Sequence, residues 1–323
     1  MRLLDILPCD RSASSETSRM TLLFFVLSGL DILGPIEEIL NEERRQEIIH
    51  WIYSLQEDAG FLGSSFLKTP NSKLDDSVHV AMTYTALATL VILGDDLSRV
   101  RKQSILDGLR RLQNPDGSFM ASIEEQCCDM RFVFCAASVC KFLNSFDTID
   151  TEKMTNYILQ SQTYEGGFGQ GPDLEAHGGS TYCAIAALAL LGKLETLDSS
   201  RKDKCLKWLV MRLNEGFHGR PNKDDDTCYT FWVGAAIKIL SEENDAAIIN
   251  QSLSVCEPFV LSTQDGITGG LAKHPDIPPD PLHTYLGLSG LALESFLDLR
   301  PVDPQLNVTK RARSYLDHLH KSE

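Results

Sequence analysis

Basic residues are scarce in this chain: 30 Lys and Arg stand against 45 Asp and Glu, for a net charge of −15 over 323 residues. A nucleic acid needs a basic face to offset its phosphates, so it is excluded as the main partner, and any local basic cluster gains meaning. Long apolar runs are missing too. The stretch from Thr21 to Leu33 follows Asp5, Asp10 and Glu16 instead of a basic flank, and is expected to be a core helix, not a secretory signal. The run from Tyr182 to Leu191 is too short to cross a bilayer, so no membrane anchor is expected. The nine cysteines are odd in number and follow no framework spacing, with Cys127 and Cys128 side by side. That usage points to reduced thiols in the cytoplasm and away from a disulfide scaffold. Alternation with period two is almost absent, so no strands are expected.

What the chain does have is a repeat. A glycine-aromatic turn recurs at Ala59-Gly60-Phe61, Asp116-Gly117-Ser118-Phe119, Glu165-Gly166-Gly167-Phe168 and Glu215-Gly216-Phe217, with a looser copy from Asp265 to Leu271. The spacing is about fifty residues, which marks a repeat architecture. Helices ending in Gln or Asn precede the turns: Ile49 to Gln56, Ile105 to Gln113, Met154 to Gln162, Cys205 to Asn214 and Ser252 to Gln264. They carry charge on one face, as in Arg201-Lys202-Asp203-Lys204-Cys205-Leu206-Lys207-Trp208-Leu209, and suit an outer layer. A second helix follows each turn: His79 to Leu93, Arg131 to Leu143, Ser180 to Leu191, Thr227 to Leu240 and His283 to Leu297. These are apolar almost all the way round and are expected to be buried on every side. With Thr21 to Leu40 opening the set, about six helix pairs would close into a ring. The expected fold is all-α, an α-α barrel or toroid with inner and outer helical layers, built as one domain over residues 1–323 with a short N-terminal segment, 1–17.

Asp226, Cys228 and His283 stand at the starts of two of the inner helices, in Asp226-Thr227-Cys228-Tyr229-Thr230-Phe231-Trp232 and Leu282-His283-Thr284-Tyr285. Carboxylate, thiolate and imidazole are all zinc ligands, and three protein ligands leave a fourth position for a water or a substrate atom. On spacing alone the same residues also read as a surface acidic run, a thiol buried as a small apolar group and a satisfied histidine. The repeat register favours the metal: loops entering the inner helices gather at one end of the ring, and Cys228 and His283 occupy the same place in adjacent units.

At this point the chain resembles the beta subunits of protein prenyltransferases, the geranylgeranyltransferase type I branch above all. The resemblance runs from about Ser18 to the end. It is carried by Glu175-Ala176-His177-Gly178-Gly179-Ser180-Thr181-Tyr182-Cys183, His218-Gly219-Arg220-Pro221-Asn222-Lys223, the Asp226 to Trp232 motif, and Gly269-Gly270-Leu271-Ala272-Lys273 leading to His283. The region before Ser18 and the loop from Asp58 to Asp75 are shorter than the family pattern. The resemblance implies an α-α barrel, one bound zinc held by Asp226, Cys228 and His283, and a separate helical alpha subunit. It implies S-alkylation of a cysteine near the C-terminus of a protein ending in a CaaX motif, such as a small GTPase, with a C20 lipid taken from geranylgeranyl diphosphate.

Residue by residue, the resemblance assigns His177, Arg220, Lys223, Tyr229 and Lys273 to the departing diphosphate, with Lys223 and Tyr229 also in the catalytic set. Farnesyl-transferring relatives carry an Asp at the Lys273 position that recruits magnesium, so the lysine implies that magnesium is not required. They also carry a Trp at the Thr21 position, and the smaller residue implies room for one more isoprene unit. Thr21 reads equally as a helix N-cap. Arg131 corresponds to an arginine facing the cavity; Phe25 and Leu282 are expected to flank the residue before the substrate's terminus. Phe134, Tyr182 and Trp232 are expected to line the lipid tunnel or to be plain core. The alternatives are a Rab-type geranylgeranyltransferase beta subunit, a zinc-stabilised scaffold and a ring-shaped terpene cyclase, the last disfavoured because Asp224-Asp225-Asp226-Thr227 lacks the final Asp of an Asp-x-Asp-Asp acid motif.

Overall fold

A computed structural model describes residues 13–68, 74–241, 246–293 and 298–322. Twelve helices alternate between two layers among these residues. The inner ones are α1 (Arg19–Leu33), α3 (Val80–Ile92), α5 (Met130–Phe142), α7 (Gly178–Leu190), α9 (Tyr229–Leu240) and α11 (Pro281–Leu291). The outer ones are α2 (Glu42–Ser54), α4 (Lys102–Leu112), α6 (Thr151–Gln160), α8 (Ser199–Val210), α10 (Ala246–Ser262) and α12 (Lys310–Ser322). Each inner helix packs against the next, and α11 returns to α1, so the inner layer closes on itself. The expected toroid is therefore the observed one.

The composition explains the layering. The middle inner helices α3, α5 and α7 are buried on nearly all faces, whereas α1 and α11 are buried over only about half of their residues. In α7, from Gly178 to Leu188 every residue but Gly179 is buried, and small residues such as Ala184, Ala186 and Ala187 let neighbouring backbones approach. On α4, Ile105, Leu106, Leu109 and Leu112 are buried while Arg110 and Arg111 lie exposed, the stripe of a helix lying over a core.

The glycine turns fix the repeat. Gly166 has φ +110°, and a Cβ there would stand 2.4 Å from the carbonyl oxygen of Lys204 on α8. Only glycine tolerates both the positive φ and that approach. The turn's aromatic points inward instead: Phe61, Phe119, Phe168 and Phe217 are fully buried.

Two expectations need correction. Strands do occur, as β1 (Gln56–Glu57) with β2 (Gly60–Phe61) and β3 (Val302–Asp303) with β4 (Val308–Thr309), and single bridges such as Gln162 to Phe168 repeat the first pattern in later turns. Two-residue pairings are too short to leave an alternating pattern. The first inner helix ends at Leu33, as expected of the core helix from Thr21, because Gly34 and Pro35 interrupt it before a short turn, Ile36–Ile39. The last inner helix ends at Leu291; residues 294–297 of its expected span, and 1–12 of the N-terminal segment, lie outside the described residues.

One turn into each inner helix stands an aromatic ring. Phe24, Tyr84, Phe134, Tyr182, Trp232 and Tyr285 form a belt across the ring interior, with centroids 5.0 to 5.6 Å apart between Phe24 and Tyr84, Tyr84 and Phe134, Phe134 and Tyr182, Tyr182 and Trp232, and Phe24 and Tyr285. Four residues further on, Ser28, Ala88, Ser138, Ala186 and Ser289 are small and buried. The hairpin tip between β3 and β4 uses that space: the hydroxyl of Tyr84 donates to the Leu306 carbonyl, and that of Tyr285 to the Asn307 carbonyl. The hairpin tip thus reaches the tyrosines of α3 and α11 from the seam of the ring.

Asp31 seals the seam of the ring. Fully buried, it accepts from Arg300 Nη1 at 2.7 Å, Arg311 Nε at 3.0 Å and the Thr309 hydroxyl at 2.5 Å, joining α1 to the C-terminal segment. No helix among the described residues is long and apolar enough to cross a membrane. None of the eight described cysteines is in a disulfide.

Candidate functional site

Because the inner helices run parallel, their N-termini share one end of the ring, where free backbone N–H groups and helix dipoles favour anions. Two of these helix starts meet at Asp226, Cys228 and His283. The segment before α9 is strapped between two glycine turns: the Asp226 N–H donates to the Phe217 carbonyl at 2.9 Å, and the Thr227 N–H to the Lys273 carbonyl at 2.9 Å. His283 lies in the first turn of α11, whose N-cap, Asp280, accepts from the His283 N–H at 3.0 Å.

One donor atom from each of Asp226, Cys228 and His283 falls within 4.8 Å of the other two. Nε2 of His283 lies 3.3 Å from Oδ1 of Asp226, and its Nδ1 lies 2.6 Å from Oδ2 of Asp280. Asp226 and Cys228 are buried and His283 is mostly so. The donor set fits zinc. A carboxylate, a thiol and an imidazole are gathered in a largely buried cluster, and a second carboxylate orients the imidazole from behind, as outer-shell partners of zinc-bound histidines do.

Without a cation the groups compete for protons. Burial opposes charge on His283, yet hydrogen bonds to Asp226 and Asp280 outweigh it and lift the imidazole to about 9. Burial also works against ionised Asp226, but the hydrogen bonds from His283 and Cys228 hold its carboxyl below the usual range. Burial, then the Asp226 charge, pushes the Cys228 thiol well up.

Beside this cluster lies a cavity of about 290 Å³ lined by His177, Arg220, Lys223, Tyr229 and Lys273 together with Asp226. The structure thus brings the predicted anion-binding residues and one predicted metal ligand to one wall. Lys273 Nζ is 3.8 Å from Asp226 Oδ2, and Arg220 Nη1 is 2.8 Å from Glu175 Oε2. Gly219 makes room for Tyr229: a Cβ on it would stand 2.2 Å from the phenol ring, and its carbonyl accepts from the Gly178 N–H at 2.8 Å.

His177 is both N-cap and ring partner. Its Nδ1 accepts from the Gly179 N–H at 3.1 Å, so the neutral imidazole carries its proton on Nε2, 2.8 Å from the Tyr229 oxygen. That bond makes the Tyr229 oxygen an acceptor and leaves its O–H free to donate into the cavity. Burial, followed by the Arg220 charge, keeps the imidazole's pKa low and so keeps it neutral.

His177 also borders a second cavity of about 330 Å³, with Arg131, Gln170, Ser180, Cys183 and Trp232. Arg131 is held there by Asp129, Nε to Oδ1 at 3.0 Å and Nη2 to Oδ2 at 2.7 Å. Phe134 and Tyr182 sit in the aromatic belt, and the buried Tyr182 hydroxyl has no hydrogen-bond partner among the described residues. Thr21, Phe25 and Leu282 border neither cavity. Thr21 donates to Met82 Sδ at 3.2 Å, the Phe25 ring stacks on Tyr285 at 5.7 Å, and Leu282 packs half-buried in the first turn of α11. Thr21 makes no side-chain N-cap bond to α1, whose N-cap position is Ser18.

The motif reading misses Asp280, Glu175, Met82 and His274. A signal exists for Asp280: an Asp followed by Pro and, three residues on, by His is the spacing of an N-cap that reaches back to a first-turn side chain.

Comparison with known proteins agrees with this geometry. Residues 1–308 match the Prenyltransferase alpha-alpha toroid domain. The chain is 39% identical over 339 residues to the geranylgeranyl transferase type-1 subunit beta of Dictyostelium discoideum, covering 96% of this chain and 93% of that one. It is 38% identical over 321 residues to the Arabidopsis thaliana protein of the same name, covering 91% and 83%. The solved structure of Candida albicans protein geranylgeranyltransferase-I complexed with GGPP superposes with a TM-score of 0.85 at 26% identity, covering 98% of this chain and 96% of that one.

Proposed function

Because this chain belongs to the prenyltransferase alpha-alpha toroid family and is a prenyltransferase, we propose that it is the catalytic beta subunit of a zinc-dependent protein geranylgeranyltransferase of type I. It works as one domain beside an alpha subunit, and moves a C20 lipid from geranylgeranyl diphosphate to the cysteine of a CaaX protein, with Leu a frequent last residue. The observation that carries this reading is the meeting of the Asp226, Cys228 and His283 donors with the basic cavity that Tyr229 and Lys273 line.

Zinc bound by Asp226, Cys228 and His283 would lower the pKa of a substrate thiol, so that thiolate, the attacking form, prevails at neutral pH. In the transfer a carbon–sulfur bond forms, the carbon–oxygen bond to diphosphate breaks, and the thiol proton is lost to solvent. The protein's own part is to hold the leaving group. Arg220, Lys223 and Lys273 are fixed cations around it, and the Tyr229 hydroxyl, its oxygen engaged by His177, has its proton free to donate to the departing oxygen. Preorganised donors of this kind act most strongly where charge develops. Lys273 supplies the positive charge that magnesium would otherwise bring. The second cavity, between Trp232 and Arg131, takes the lipid and the peptide end.

The test is direct. The chain is co-purified with an alpha subunit and supplied with zinc, geranylgeranyl diphosphate and a peptide ending in Cys-aliphatic-aliphatic-Leu. Mass spectrometry should find a thioether product. A complex that alkylates no CaaX peptide, but does modify a Rab protein presented by its escort, would be of the Rab type.

A further inference from the structure

The wall that gathers Arg220, Lys223 and Lys273 also carries a carboxylate, Asp225. Its charge repels the anion that the cations attract, so its place there calls for another reason. The side chain is mostly buried and turned back onto the preceding glycine turn. Oδ2 accepts from the Gly216 N–H at 2.9 Å, while Oδ1 lies 3.4 Å from Nδ2 of Asn214 and 3.4 Å from Nδ1 of His218.

The other glycine turns show what this bond replaces. The bridge that closes each turn spans six positions from Gln113 to Phe119 and from Gln162 to Phe168, but only four from Leu213 to Phe217. In the first of these, the Asn114 N–H donates to the Ser118 carbonyl, and the Ser118 N–H donates to Oδ1 of Asp116 at 2.9 Å. The looser turn also uses its own aspartate, with Asp265 Oδ1 accepting from the Ile267 and Thr268 N–H groups. In the short turn the Asn214 N–H donates to the Gly216 carbonyl, which makes Gly216 the counterpart of Ser118. This turn has no aspartate of its own. Gly216 is buried, its N–H requires an acceptor, and Asp225 supplies one from nine residues further along the chain.

Residues 219–224, with Arg220 and Lys223 among them, lie between the two halves of this clasp. The Asp226 N–H ties the same base a second time, to the Phe217 carbonyl at 2.9 Å. A loop tied twice at its base has fewer conformations to lose, so its cations need less ordering when a ligand arrives.

We propose that Asp225 is a positioning residue of the diphosphate wall: it clasps the base of loop 219–224 to the short glycine turn and so fixes where Arg220 and Lys223 meet the leaving group. The inference rests on the prenyl diphosphate reading above and adds to it a residue that acts through those two cations. The unfavourable charge of Asp225 is outweighed by the placement it secures.

The experiment uses the zinc-loaded complex with the alpha subunit and geranylgeranyl diphosphate as the probe. Asp225→Ala should weaken binding about tenfold and lower kcat, although it removes a repelling charge. Asp225→Asn, whose amide oxygen still accepts the Gly216 N–H, should bind at least as tightly as wild type. Hydrogen exchange over residues 214–223 should quicken in Asp225→Ala and stay slow in Asp225→Asn. In an Arg220→Met, Lys223→Met background, Asp225→Ala should cost no affinity, because the side chains it positions are gone. Zinc content, measured on each variant, reports that Asp226 is still in place. Equal or tighter binding by Asp225→Ala, the same loss in both backgrounds, or a tenfold loss in Asp225→Asn would overturn the assignment. A wild-type complex that binds no lipid diphosphate would instead overturn the functional reading, and the exchange rates would still report the clasp.

Discussion

The Tyr229 oxygen lies 2.8 Å from Nε2 of His177, and the Gly179 N–H holds the other face of that imidazole, so the proton between ring and phenol belongs to the histidine. The consequence is a phenol whose own hydrogen is committed to none of the described residues. It stands between the predicted metal ligands and the basic wall, where a leaving oxygen would gather charge.

Tyr229→Phe removes that one oxygen and keeps the ring that Gly219 accommodates. Turnover of the zinc-loaded complex is expected to fall about a hundredfold, as for the loss of one preorganised donor. Steady-state kinetics should place the loss in kcat with zinc content unchanged. An unaltered kcat would remove Tyr229 from the catalytic set.

Asp280→Asn keeps the N-cap of α11, since an amide oxygen still accepts the His283 N–H, but it takes away the carboxylate 2.6 Å from Nδ1. Zinc affinity should drop about ten- to a hundredfold. Competition with a chromophoric chelator reads this without any assay of transfer.

Lys273→Asp exchanges a fixed cation of the cavity for a metal-binding carboxylate. The parent complex should show no gain from added magnesium at saturating zinc, whereas the variant should be slow without magnesium and recover with it. Many-fold magnesium activation of the parent enzyme would contradict the role given to Lys273.

Thr21 opens α1 with its hydroxyl on the thioether of Met82 in α3. Thr21→Trp would fill the space between these two helices, and the variant's preference should move from the C20 toward the C15 diphosphate. Competition between the two lipids, read by product mass, decides it; an unchanged ratio would leave Thr21 a packing residue.

Stability should fall on the acid side through His79 as well as His177. Burial, chiefly, depresses both imidazoles, with Arg131 a lesser cause at His79 and Arg220 at His177. Between the depressed native value and the ordinary value of about 6.5, the unfolded chain binds protons that the native one does not. Their contribution is therefore complete above about pH 6.5 and is lost as pH falls through the native value. Urea midpoints between about pH 5 and about pH 7.5 should show the slope, and His79→Gln should flatten it.

Much of the architecture is legible in the sequence because the repeat states it many times. Glycine with a buried aromatic marks four of the five turns, and helices apolar on all sides can only be an inner layer. The boundaries are less legible. Gly34-Pro35 cuts the opening helix by simple backbone chemistry, but two-residue bridges such as Gln162 to Phe168 carry no periodic trace and emerge only when the turn is folded. The grouping of Asp226, Cys228 and His283 follows from register, since each stands where an inner helix begins.

The sequence by itself determined the kinds of chemistry present: a carboxylate, a thiol and an imidazole at helix starts, basic residues on glycine-rich turns, and a ring of helices to collect them. Only the tertiary structure decided the states of those groups. Whether an imidazole is donor or acceptor depends on which backbone atom faces it. His177 meets an N–H at Gly179 and His274 a carbonyl at Pro275, so two like side chains in one cavity carry their protons on opposite nitrogens. Hydrogen-bond direction is a property of the folded neighbourhood, and no spacing of letters encodes it.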